Sequence, residues 1–145
     1  MIVLSNHYRS PINYTHKTAE QQQAALDRIF NFFRTVTLKK EPKSLTALIK
    51  KADKQFIAAL ESDFHTPKAL AVIFSFISKA PKTKKSKQWV DNQLKTLGLE
   101  LKVPQPTARA NKLVKEREQL RQQKQYQEAD KLRKKIEALG FLVED

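Results

Sequence analysis

The sequence contains no cysteine. That excludes disulfide bonds, thiolate-ligated zinc and a thiol nucleophile. Glycine is nearly as scarce, with Gly98 and Gly140 the only two in 145 residues, so no glycine-rich loop exists to cradle phosphates with backbone amides. No apolar run approaches the roughly 20 residues that span a bilayer. The apolar start, Met1 to Leu4, is too short for a signal peptide and gives way to polar residues. A soluble, cytoplasmic protein is the expectation. Acidic side chains are also in deficit: 15 Asp and Glu stand against 28 Lys and Arg, a formal net charge of +13. Such an excess repels itself in a folded chain, and a polyanionic partner is the natural counterweight. Nucleic acid is the first candidate; an anionic membrane surface and plain solubility are the others.

What the chain does hold is Ala, Leu, Lys, Gln and Glu, which lose little rotamer freedom in helices. The expected fold is all-α: an antiparallel helical bundle over 1–98, a linker at 99–107 and a helical hairpin over 108–145, with room for one short C-terminal strand. Thr18 and Gln21 have capping-box spacing at the start of a first helix over 18–36, with Leu26, Ile29, Phe30 and Phe33 as its apolar stripe. A second helix over 44–61 places Leu45, Leu48, Ile49, Ala52, Phe56 and Leu60 on one side. Thr66-Pro67 predicts an N-cap and first turn for a largely apolar helix that Pro81 ends. Lys82 to Lys87 is expected as a lysine-rich loop before a helix over 86–97, which Gly98 closes in left-handed geometry. Two prolines stiffen the stretch from Lys102 to Thr107. Helices over 108–122 and 126–139 then pair around Gln123-Lys124-Gln125, and Phe141-Leu142-Val143 begins a strand without a partner in this sequence.

Catalytic and metal sites find no support. His7, His16 and His65 lie in separate segments, none with a second ligand at i+3 or i+4. Glu61 and Asp63 are better explained as helix-dipole partners, worth about 0.3–1 kcal/mol each. Candidate phosphate contacts are Lys39, Lys40, Lys43, Lys50, Lys51, Lys54, Lys82, Lys84, Lys85 and Lys87, joined by Arg117 and Lys124 of the hairpin. Around the hairpin turn, Arg121, Tyr126, Asp130 and Arg133 combine an aromatic, cations and a carboxylate. A base can be stacked and hydrogen-bonded by such a set. A coiled hairpin laced with Arg–Asp pairs at i, i+3 accounts for it equally well.

Three segments carry a family resemblance. His7-Tyr8-Arg9-Ser10-Pro11-Ile12-Asn13-Tyr14 resembles the opening of the helical-bundle domain of cysteinyl-tRNA synthetases. Asp63-Phe64-His65-Thr66-Pro67, running into Ala69 to Phe74, is similar to that family's Asp-Phe-Asn-Thr-Pro signature, which it shares with the cysteine ligase of mycothiol synthesis. Arg117, Arg121, Lys124 to Tyr126, Ala129-Asp130, Arg133 and Gly140 to Asp145 resemble its anticodon-reading hairpin. The resemblance implies a bundle docking at the inner corner of tRNA. It also implies anticodon contacts at Arg121, Tyr126, Asp130, Arg133 and Asp145. His65 stands where the family has Asn, Gln125 where it has Asp, and Tyr126 where it usually has Trp.

The family's adenylate-binding motif, its Lys-Met-Ser-Lys-Ser-type loop and its zinc site have no counterpart here. The chain is therefore expected to bind tRNA without performing chemistry or holding a cofactor. A parent enzyme, if this is a fragment of one, would be a cysteine–tRNA ligase using ATP and zinc. Met1 matches an internal helical position of the family, as in a fragment or a truncated gene. The alternative expectation is a synthetase-derived structural subunit of a ribonucleoprotein such as a ribosome.

Overall fold

The computed structural model describes residues 1–37, 40–103 and 106–144. Among them lie six helices: α1 (His16–Arg34), α2 (Ser44–Glu61), α3 (Thr66–Lys79), α4 (Lys84–Thr96), α5 (Ala108–Gln122) and α6 (Tyr126–Ala138). Two short strands join them, β1 (Thr35–Val36) and β2 (Leu142–Val143). The fold is thus essentially all-α, as the composition implies.

The helix starts show which local chemistry prevailed. Thr15 caps α1, and its box partner is Thr18: the Thr15 side chain accepts from the Thr18 amide while the Thr18 hydroxyl faces the Thr15 amide at 2.8 Å. The expected Thr18–Gln21 box is one turn too late. At α3 the cap is His65 rather than Thr66, its Nδ1 accepting from the Lys68 amide at 3.3 Å, and Pro67 sits in the first turn. Here the imidazole nitrogen takes the acceptor role that Asn would fill in the signature motif. We expect His65→Ala to lower stability by about 0.5–2 kcal/mol and His65→Asn to keep it, a difference that a pair of urea melts resolves.

Four helices build the first core. Ile29 and Phe32 of α1 meet Leu45, Ala52 and Phe56 of α2, Leu70, Ile73 and Phe76 of α3, and Trp89, Val90 and Leu94 of α4. Phe32, which the expected stripe of α1 omitted, is buried there, while Leu26, Phe30 and Phe33 are only half-buried. Phe76 and Trp89 pack ring to ring at 4.2 Å, and the indole Nε1 donates to Asp53 at 2.6 Å. Leu99 and Leu101, within the stretch expected as linker, also pack against this core; Pro104 and Gln105 lie outside the described residues.

A second, smaller core gathers Val36, Ala110, Val114, Ile136 and Phe141. It exists because the C-terminal strand has a partner after all. β2 pairs in parallel with β1, Thr35 opposite Leu142 and Val36 opposite Val143. The strand pair therefore carries Val36 out of α1 and into the core of the hairpin.

Candidate nucleic-acid interface

The hairpin tip is set by a left-handed turn. The Gln125 amide donates to the Leu120 carbonyl at 2.9 Å and the Lys124 amide to Arg121 at 3.0 Å, which closes α5 and starts α6. The same bond pattern ends α4 at Gly98 and α6 at Gly140, with φ of +74° and +83°. At the tip the left-handed residue is Lys124, with φ +61°. A lysine pays a steric penalty of about 1–2 kcal/mol there that glycine escapes. The fold by itself favours glycine at 124; an exposed cation occupies the position instead.

From this turn α6 presents Tyr126, Asp130 and Arg133 at i, i+4 and i+7, along one stripe of the helix. Tyr126 is 57% exposed, with its ring available at the first position of α6. Asp130 is exposed and Arg133 half-buried, its Nε donating to Glu137 at 3.0 Å. Arg121 lies half-buried in the last turn of α5. Ala129 and Ile136 face inward on the adjoining stripe of α6, and Arg133, four residues after Ala129 and three before Ile136, sits at its border. Asp145 lies outside the described residues.

Not every expected phosphate contact is at the surface. Arg117 is 2% exposed and its guanidinium donates to the Glu144 carbonyl at 3.2 Å. It follows Ala110 and Val114 at helical spacing on the buried face of α5, which makes it a core residue tying β2 down and removes it from the phosphate-contact set. The segment over 82–87 is likewise no loop: Thr83 caps α4, and Lys84, Lys85 and Lys87 occupy its first turns. Lys82 pairs with Glu144 at 2.8 Å, and Lys87 is half-buried with its Nζ donating to the Thr35 carbonyl at 2.5 Å. Burial, and then the neighbouring charge of Lys82, lowers the Lys87 pKa. Lys40, Lys84, Lys85 and Lys124 are exposed; Lys39 lies outside the described residues.

Comparison with known proteins then speaks to both halves. Residues 55–102 match the profile of the DALR domain, and residues 103–145 match that of the cysteinyl-tRNA ligase anticodon binding domain. The chain is similar to cysteinyl-tRNA ligases. It is 31% identical to cysteine–tRNA ligases of Hamiltonella defensa and Oenococcus oeni and 28% identical to that of Shewanella amazonensis, with 99% of this chain aligned in each case. It spans about a third of the length of these relatives, 34% or 35%.

Where the N-terminal segment meets the region matched to the DALR domain, the fold assembles a cluster that sequence spacing could not reveal. The chain leaves α2 through two consecutive left-handed residues, Asp63 (φ +54°) and Phe64 (φ +46°). This corner presents Asp63 to the N-terminal segment, where it accepts from the Tyr8 hydroxyl at 2.7 Å and pairs with Arg9 at 3.3 Å. His7 approaches Asp63 at 3.7 Å and stands edge-on to His65, centroids 5.1 Å apart. Two of the three scattered histidines thus meet at one corner. Among the described residues, no group of three or more His, Cys, Asp or Glu is disposed to hold a metal ion, and no helix is long and apolar enough to cross a membrane.

Proposed function

We propose that the chain binds tRNA, with the α5–α6 tip meeting the anticodon and the exposed lysines meeting the phosphate backbone. The observation that carries this is the hairpin tip itself: a domain of the anticodon-binding family that holds an exposed tyrosine, a carboxylate and arginines around a strained lysine. Tyr126 would serve as a stacking platform, while Asp130, Arg121 and Arg133 would hydrogen-bond base edges. The names of the relatives point to the cysteine tRNA. On this reading the chain supplies recognition, with no cofactor of its own and no chemical step. The charge of +13 supports it, because each neutralised phosphate releases counterions and steepens the salt dependence by about 0.7–0.9 in log–log slope.

Gel-shift titration tests the proposal. At low salt the chain should bind tRNA with low-micromolar affinity or better. Tyr126→Ala should weaken binding to the anticodon stem-loop roughly five- to a hundredfold, the value of losing one base stack of about 1–3 kcal/mol. Affinity for tRNA no greater than for heparin, with no effect of that substitution, would overturn the proposal.

A further inference from the structure

We propose that the cavity beside the start of α4 is an anion site for a single phosphate group, with Lys82, Lys84 and Lys87 as its cations. The cavity measures about 560 Å³, and these lysines line it together with Gln88, Asp91 and Asn111. That volume falls within the range of about 300–1,000 Å³ typical of small-ligand sites. Which phosphate enters, one from an RNA backbone or a free one, depends on the tRNA-binding proposal above; the anion chemistry does not.

The arrangement is electrostatically unfavourable without an anion. Cations at a helix N-terminus oppose the macrodipole, and α4 has no acidic residue in its first turn to offset them. The nearby carboxylates are directed elsewhere. Glu41 accepts the backbone amide of Lys85 at 3.3 Å, and Asp91 is held by Lys95 at 2.7 Å. Glu144 takes up Lys82. Lys85 turns its ammonium toward Thr46, away from the cavity. Among the described residues, no carboxylate lies in ion-pair range of Lys84 or Lys87. The Lys87 ammonium donates to the Thr35 carbonyl, in a half-buried position beside the charge of Lys82. A tetrahedral anion would relieve this repulsion, and the amides of Gln88 and Asn111 could donate to oxygens the lysines leave free.

Thermal melting of the whole chain in potassium phosphate, against potassium chloride at matched ionic strength, tests the site. The melting temperature should rise with phosphate, and Lys87→Gln and Lys84→Gln should each weaken the apparent phosphate affinity at least tenfold. Phosphate also stabilises proteins by exclusion from their surfaces, so the readout is the difference between wild type and variant. Lys54→Gln, an exposed lysine on α2, is the control and should leave the response unchanged. In chloride, Lys87→Gln should melt no lower than wild type. If it does not fold, Lys84→Gln still decides the matter, because that side chain is exposed.

The salt dependence of tRNA binding distinguishes the two sources. A slope reduced by about one phosphate contact in either variant assigns the site to the RNA backbone. An unchanged slope with a lost phosphate response assigns it to a free phosphate. An unaltered phosphate response in both lysine variants, or an equal loss in Lys54→Gln, overturns the site. Failure of the wild-type chain to bind tRNA would overturn the function proposed above, while the phosphate response would still decide the site.

Discussion

Phe76→Ala is expected to lower the stability of the four-helix core by about 3–5 kcal/mol, the usual cost of truncating a buried aromatic that its surroundings cannot refill. Phe76 is 2% exposed and lies tilted against Trp89. Trp89 is in turn fixed by its bond to Asp53, so the indole is not free to collapse into the space. The loss is a large share of the roughly 5–15 kcal/mol that holds a typical domain together. Urea unfolding followed by the emission of Trp89, the only tryptophan, measures it: the midpoint should fall while the slope with denaturant stays the same. A loss below about 1 kcal/mol would mean that the α3–α4 contact is looser than the ring geometry indicates.

The second large effect belongs to Arg117. Arg117→Ala should destabilise the hairpin by about 2–3 kcal/mol, because a buried charged donor and its packing are both removed and the Glu144 carbonyl loses a bond. Amide exchange at Val143 should accelerate, since β2 is the element that bond retains. The salt dependence of RNA binding should stay as in the wild type, because no phosphate reaches a side chain this buried. Unchanged stability with a shallower salt slope would restore Arg117 to the phosphate contacts expected from sequence.

The contrast between those two residues explains what was legible. The bounds of α2 and both hairpin helices followed from apolar period and stop signals, which are local. So did the left-handed closure at Gly98. The role of Arg117 was also visible in principle: Ala110, Val114 and Arg117 continue one stripe at i, i+4 and i+7, and charge drew attention away from spacing. The partner of β2 was not legible, because a two-residue strand has no period and its mate lies at the far end of the first helix. The same holds for the corner where Tyr8, Arg9 and His7 meet Asp63, more than fifty residues apart in sequence. Capping at Thr15 and His65 was misplaced by one turn or less, since several hydroxyls and acceptors compete for each helix start and only the backbone angles choose between them.

The pairing of Thr35 with Leu142 also bears on the order in which the chain acquires its structure. The two strands are separated by more than a hundred residues, and closing so long a loop rewards the chain with only a few bonds. During vectorial synthesis the first core can be complete while residues beyond 108 are still emerging. The hairpin then needs Val36, presented by an element made long before, to finish its own hydrophobic interior. Folding of the second half is therefore templated by the first, and refolding experiments should find the strand pair among the last contacts to form.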